Sequence, residues 1–180
     1  MVPARNSAAD KKEKVYEGGA FAGQGGDCYM FRLDADVVLD AEPWLELSKE
    51  LFTNEFAHDL SSVPERCFFV VDDTDAPVGT ASAWYKNDHR GVDYGLIHWV
   101  AVRPSHQGRG LGKAVLAYAL EKLSLWHERA LLGTQSKRLP AIALYLDFGF
   151  LPDLQNPDVI KDWRLLRTQL NHPVLDNMEF

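Results

Sequence analysis

The chain has 180 residues, 46% apolar and 25% charged, an ordinary globular composition with enough length for one domain and a real core. A formal net charge of −7 argues against a nucleic-acid binder, whose footprint is basic, and would draw cationic molecules instead. No apolar run reaches the roughly 18 residues of a membrane span. The first residues lack the apolar core of a secretion signal, so no membrane partner and a cytoplasmic location are expected.

Residues 1–26 hold Lys11-Lys12-Glu13-Lys14, then Gly18, Gly19, Gly23, Gly25 and Gly26. So few apolar groups cannot offset ordering entropy, so a flexible tail is expected there, followed by a single domain over 27–180. Residues 28–33 read as a first strand. Residues 40–56 carry Trp44, Leu45, Leu47, Leu51, Phe52 and Phe56, which suits an amphipathic helix or helix pair. The run 67–71 is a buried strand, and 78–85 is its hairpin partner across the Asp72–Pro77 turn. A fourth strand spans 96–102. The amphipathic stretch 111–123 reads as a helix, 130–134 as a fifth strand, 140–146 as a helix and 148–151 as a short strand. Residues 158–170 suit a further helix, and 173–179 a final strand. Cys28 and Cys67, far apart and without a secretion signal, read as reduced and structural.

The most informative run is Val102-Arg103-Pro104-Ser105-His106-Gln107-Gly108-Arg109-Gly110-Leu111-Gly112-Lys113. A strand, a glycine-rich turn and a helix start make an anion cradle, because backbone N–H groups and the helix dipole both favour negative charge. A P-loop needs Ser or Thr after Gly112-Lys113, and Ala114 stands there. A dinucleotide fingerprint starting at Gly108 needs glycine where Lys113 stands.

Gln107-x-x-Gly110-x-Gly112 resembles the pyrophosphate loop of the GNAT N-acyltransferase superfamily, Q/R-x-x-G-x-G/A. Downstream, Ala141-Ile142-Ala143-Leu144-Tyr145-Leu146-Asp147-Phe148-Gly149-Phe150 is similar to that family's second signature, A-x-x-L-Y-x-x-x-G-F. The resemblance is specific over residues 96–153. It implies an α/β (α+β) fold with a mixed, mostly antiparallel central sheet of 6–7 strands flanked by helices. The sheet would be splayed between the fourth and fifth strands. It also implies acetyl-CoA as co-substrate and no metal. Backbone amides of Gly108 to Lys113 would take the pyrophosphate, with Gln107, Arg109 and Lys113 beside them. Val100 and Val102 would receive the pantetheine arm as an added strand.

A lysine-like ammonium costs about 4.6 kcal/mol to deprotonate at pH 7, so transfer to an amine calls for a base. His98 suits that role, and strict strand alternation puts it on the face of Val100 and Val102. A core histidine is the competing reading. Asp93 and a water chain are the reserves. Tyr145 falls at the family's general-acid position, although Ala141, Leu144, Tyr145 and Phe148 also form a plain core stripe. Arg138 stands where the family often carries an asparagine that helps hold the cofactor arm. His58, His89, His106 and His127 lack metal-ligand spacing and read as surface.

The expected activity is acetyl transfer to a primary amine of a small molecule, by direct attack in a ternary complex. The competing readings are an acyl-CoA sensor without turnover and an enzyme acting on a protein amine. A homodimer is compatible with the sequence.

Overall fold

The computed structural model describes residues 29–33 and 56–180, the first span by its backbone alone. The expected tail 1–26 and the helical stretch expected over 40–56 lie outside the described residues, Phe56 excepted.

The elements are β1 (Tyr29–Leu33), a 3-10 turn (Ala57–Ser62) leading into α1 (Val63–Arg66), β2 (Cys67–Val71), β3 (Pro77–His89) and β4 (Val92–Val102). These are followed by α2 (Leu111–Leu123), β5 (Ala130–Thr134), α3 (Leu139–Asp147), β6 (Leu151–Pro152), α4 (Ile160–Leu170) and α5 (Pro173–Asp176). They form a mixed α+β sheet, flanked by helices, in the order β2-β3-β4-β5-β1-β6. Antiparallel pairing is confined to β2-β3-β4. From β4 through β5 and β1 to β6 the pairing is parallel, so the sheet is mixed, with its longest ladder, β3-β4, antiparallel.

Two C-terminal expectations change. The short strand expected over 148–151 starts later, because Phe148 and Gly149 close α3. The strand expected over 173–179 is the helical turn α5. Pro173 cannot donate to a ladder and fits a first helical turn, and the His172 ring accepts the Val174 N–H at 3.3 Å as a cap.

One face of the sheet is covered by helices. Ala81, Ala83, Ile97, Ala130 and Leu132 pack there with Val115, Leu116, Ala119, Leu120 and Leu123 of α2 and with Ile142, Tyr145 and Leu146 of α3. Trp163 and Leu166 of α4 and Leu175 of α5 are wholly buried in the same cluster. The opposite face carries a smaller cluster of Tyr94 and Leu131, flanked by Val92 and Leu96.

The strand that positions the site is irregular. From Lys86↔Tyr94 to Ser82↔His98, β3 and β4 stay in step, but the next pairs are Thr80↔Ala101 and Gly79↔Val102. One extra residue has entered β4. It lies at Trp99, whose φ is +54°, a conformation rare for a bulky residue. An extra residue reverses which way later side chains point. Ile97 lies on the helical face, and Val100 packs against the same cluster. Val102 reaches towards α2, with its Cγ2 3.8 Å from where a Cβ on Gly112 would sit. His98, in step with Tyr94 and Leu96, lies on the opposite face. The expectation that His98, Val100 and Val102 share a face is therefore overturned by the bulge.

Gly95 sets how closely α2 approaches. A Cβ built there would lie 2.6 Å from Leu123 Cγ and 2.7 Å from both its methyls, and Leu123 has no exposed surface into which to retreat. Gly95→Ala should cost about 1–3 kcal/mol by overpacking. Urea unfolding measures it, and a loss below roughly 0.5 kcal/mol would mean that α2 shifts freely over β4.

Candidate functional site

β4 ends in a turn that is held from both sides. The Arg103 N–H donates to Val78 O at 2.9 Å, fixing the strand end to β3. Pro104–His106 make one 3-10 turn. The Gln107 side-chain amide then reaches back and donates to Val102 O at 3.0 Å. Gln107 is thus a clamp that folds the loop over the strand end.

After it, Gly108 and Gly110 take φ of +74° and +76°, which other residues adopt only with strain. A Cβ on either would meet nothing within 4 Å, so the space above them is open. Gly110 is the N-cap of α2 and brings no side-chain cap. The first N–H groups of α2 therefore have no acceptor within the helix and face the same open space. Gln107 to Gly110 and Lys113 are exposed, and Arg109 and Lys113 add two cations. Such a run of glycine-borne donors at a helix start suits a pyrophosphate.

The loop opens beside a gap. β4 pairs with β5 only at Gly95↔Ala130, Leu96↔Leu131 and Ile97↔Leu132. From His98 onward the two strands are no longer paired. Two buried donors flank this stretch: Trp99 Nε1 and Arg103 Nε have no hydrogen-bond partner. Buried polar atoms without partners are rare and call for a ligand or water. With the unpaired edge of Val100–Val102 between them, they suit an extended arm carrying amides. The residues present therefore fit an acyl-CoA.

His98 is half-buried, its ring is edge-on to Trp99 at 5.3 Å, and its carbonyl accepts the Ser82 hydroxyl at 2.9 Å. Asp93 is not brought to the gap. It sits five residues away at the hairpin end, roughly 17 Å along a strand, and there accepts the Asp88 N–H at 2.8 Å. A cavity of about 410 Å³ between β2 and α2 holds none of these residues. Phe68, Val70 and Tyr118 are among its lining. Among the described residues no group of three metal-ligating side chains occurs, and no helix is long and apolar enough to cross a membrane.

The profile of the acetyltransferase (GNAT) family matches residues 30–150. The chain belongs to the GNAT acetyltransferase family. No curated protein matches. Solved structures that resemble the chain include an acetyltransferase of Trypanosoma brucei at 27% identity (57% of this chain, 75% of that one, TM-score 0.43). Two others are a GCN5-related N-acetyltransferase of Ralstonia eutropha at 23% (59% and 72%, 0.44) and the glucosamine-6-phosphate N-acetyltransferase of Arabidopsis thaliana at 18% (59% and 74%, 0.42).

The second GNAT signature has a local physical reason here. Gly149, at φ +87°, follows the end of α3 in the left-handed conformation. The Phe150 N–H donates to Tyr145 O at 3.1 Å and the Gly149 N–H to Leu146 O at 3.0 Å. This is a Schellman cap, and the hydrophobic contact that accompanies it is Phe150 against Tyr145, with ring centroids 6.3 Å apart. The glycine and phenylalanine of the signature thus hold Tyr145 in place. Burial pushes the Tyr145 phenol up to about 12, against a smaller opposing pull from Arg138. Burial likewise pushes the Cys67 thiol up to about 11, so it stays protonated and is a poor acyl acceptor. The expectation of four surface histidines fails at His89 and His127, each with a buried Nε2, and burial makes the His127 ring harder to protonate.

Tyr145 also makes stability depend on pH. Its folded pKa lies above the unfolded value near 10, so above pH 10 the unfolded chain loses this proton first. Stability from this group is intact below about pH 10 and falls by about 3 kcal/mol as pH rises to about 12. Tyr145→Phe should flatten that fall in chemical unfolding between pH 9 and 12. An identical slope in both proteins would contradict the assignment.

Proposed function

We propose that this GNAT protein moves the acetyl group of acetyl-CoA to a primary amine of a small molecule, by direct attack in a ternary complex. The observation that carries this reading is the exposed donor loop, Gln107 to Lys113, opening at the mouth of the gap between β4 and β5. In this reading residues 27–180 are one domain. Amides of Gly108, Gly110 and Gly112 take the pyrophosphate, with Arg109 and Lys113 adding charge. Gln107 holds the loop shut, and Val100 and Val102 offer the pantetheine arm a strand edge.

His98 is the base and Tyr145 the acid. The bulge at Trp99 changes what that pairing means. His98 lies on the face of Tyr94 and Leu96, while Tyr145 belongs to the helical face. A thioester held in the gap between the strands would meet its amine from one face and shed its sulfur towards the other. Nitrogen and sulfur are bonded to the same carbonyl carbon, so only the two proton partners, His98 and Tyr145, lie on opposite faces. Passing a proton fully from a phenol near 12 to a thiolate near 8.5 is uphill by about 5 kcal/mol. Tyr145 therefore acts best as a hydrogen-bond donor to sulfur that yields its proton only as the C–S bond breaks.

Calorimetric titration with acetyl-CoA tests the cofactor. Binding is expected, and Gly110→Ala should weaken it at least tenfold by placing a methyl in the open space and straining the loop. No heat at millimolar acetyl-CoA would sink the reading. Thiol release over a panel of primary amines tests turnover, and His98→Ala should lower it about 10²-fold or more. Unaltered turnover would remove His98 from the reaction. Binding without release for any amine would favour an acyl-CoA sensor.

A further inference from the structure

Ser82 is a polar residue in a run of buried apolar ones. Ala81, Ala83 and Trp84 beside it on β3 are buried, and Ser82 itself is 1% exposed. A hydroxyl so placed needs a partner. Ser82 finds it across the sheet, where its hydroxyl donates to His98 O at 2.9 Å. The pair Ser82↔His98 is the last one in step before the bulge.

That carbonyl belongs to the peptide group between His98 and Trp99. The φ of Trp99, +54°, is the turn of this same peptide group about the next bond along the chain. A peptide group is rigid, so the hydrogen bond and the strained angle act on one plane. A bulky residue keeps such an angle only where its surroundings impose it. On the far side of the bulge the Arg103 N–H donates to Val78 O at 2.9 Å. The bulged stretch is thus tied to β3 at both ends, by a side chain before it and by the ladder after it. Between the two ties lies the segment that β5 does not pair, with Val100 and Val102 in it.

We propose that Ser82 is a positioning residue for the co-substrate. Its hydroxyl holds the His98–Trp99 peptide turned, and so keeps the Val100–Val102 edge clear of β5 and open to the pantetheine arm. The inference rests on the reading of this edge as the seat of an acyl-CoA arm. Without the hydroxyl the peptide is released to turn back, Trp99 leaves the positive-φ region, and β4 runs on beside β5 with its edge paired. An incoming arm must then displace that pairing, so part of the protein starts from a state that cannot bind it. Ser82 touches neither the acyl group nor the amine in this scheme and acts through the strand alone.

The experiment uses Ser82→Ala, which removes one oxygen and adds nothing to the packing. It also uses Trp99→Gly, because glycine takes a φ near +54° without strain and a bulge built on it no longer needs the tie. Calorimetry compares these two, their double variant and wild type, with two ligands. One is acetyl-CoA. The other is 3′-phospho-ADP, the half of CoA that has the pyrophosphate and lacks the arm. Ser82→Ala should raise the Kd of acetyl-CoA about three- to tenfold and leave that of the nucleotide half unchanged. In the Trp99→Gly background the same substitution should cost acetyl-CoA nothing further. Unchanged affinity for acetyl-CoA overturns the proposal. So does an equal loss for both ligands, which would make Ser82 a general support of the fold, and so does an equal loss in both backgrounds. A wild type that binds neither ligand sinks the co-substrate reading itself, and this inference with it.

Discussion

β4 cannot stay in step with both of its neighbours, and the site follows from that constraint. Its first half is paired on both sides, to β3 and to β5. The extra residue at Trp99 then swings the second half, so that β3 keeps its hold while β5 is lost. Every backbone group on the freed side of Val100–Val102 loses its lattice partner at the place where the loop brings a row of N–H donors. An unpaired strand edge inside a sheet is normally a liability. Here it is short, bracketed by the buried donors of Trp99 and Arg103, and shielded by the helices that pack on the strands to either side.

The bulge also divides the chemistry between two faces. Were β4 regular, Val100 and Val102 would lie on the face of His98, Tyr94 and Leu96, away from Tyr145. With the bulge, they turn to the helical face while His98 stays on the other.

How legible this was in the sequence differs from element to element. The strand 67–71, the helix 111–123 and the strand 130–134 coincide with the observed elements, because each is an apolar pattern bounded by turns or charge. The two signatures were readable for a related reason. Gly108, Gly110 and Gly149 stand where the backbone adopts positive φ, and a glycine announces such a position. Trp99 does so too, and its residue type announces nothing, so simple alternation misplaces Val100 and Val102 relative to His98. Neighbour order in the sheet was equally hidden. Pairing between β5 and β1 joins residues about a hundred positions apart, and no local pattern encodes it. At 173–179 a final strand is expected, but Pro173 and the capping ring of His172 decide for a helix.

The family match ends at residue 150, yet the core does not. Trp163, Leu166 and Leu175 lie beyond it and are among the most deeply buried side chains. They press against the α3 layer that holds Tyr145 and Phe150. The last thirty residues are therefore part of the wall around Tyr145, and not an appendage to a finished domain. A chain cut at the family's border would keep every signature residue and lose the wall behind one of them. Burial is what holds the Tyr145 phenol high, so a change in the C-terminal segment can shift its acidity while every motif residue stays the same.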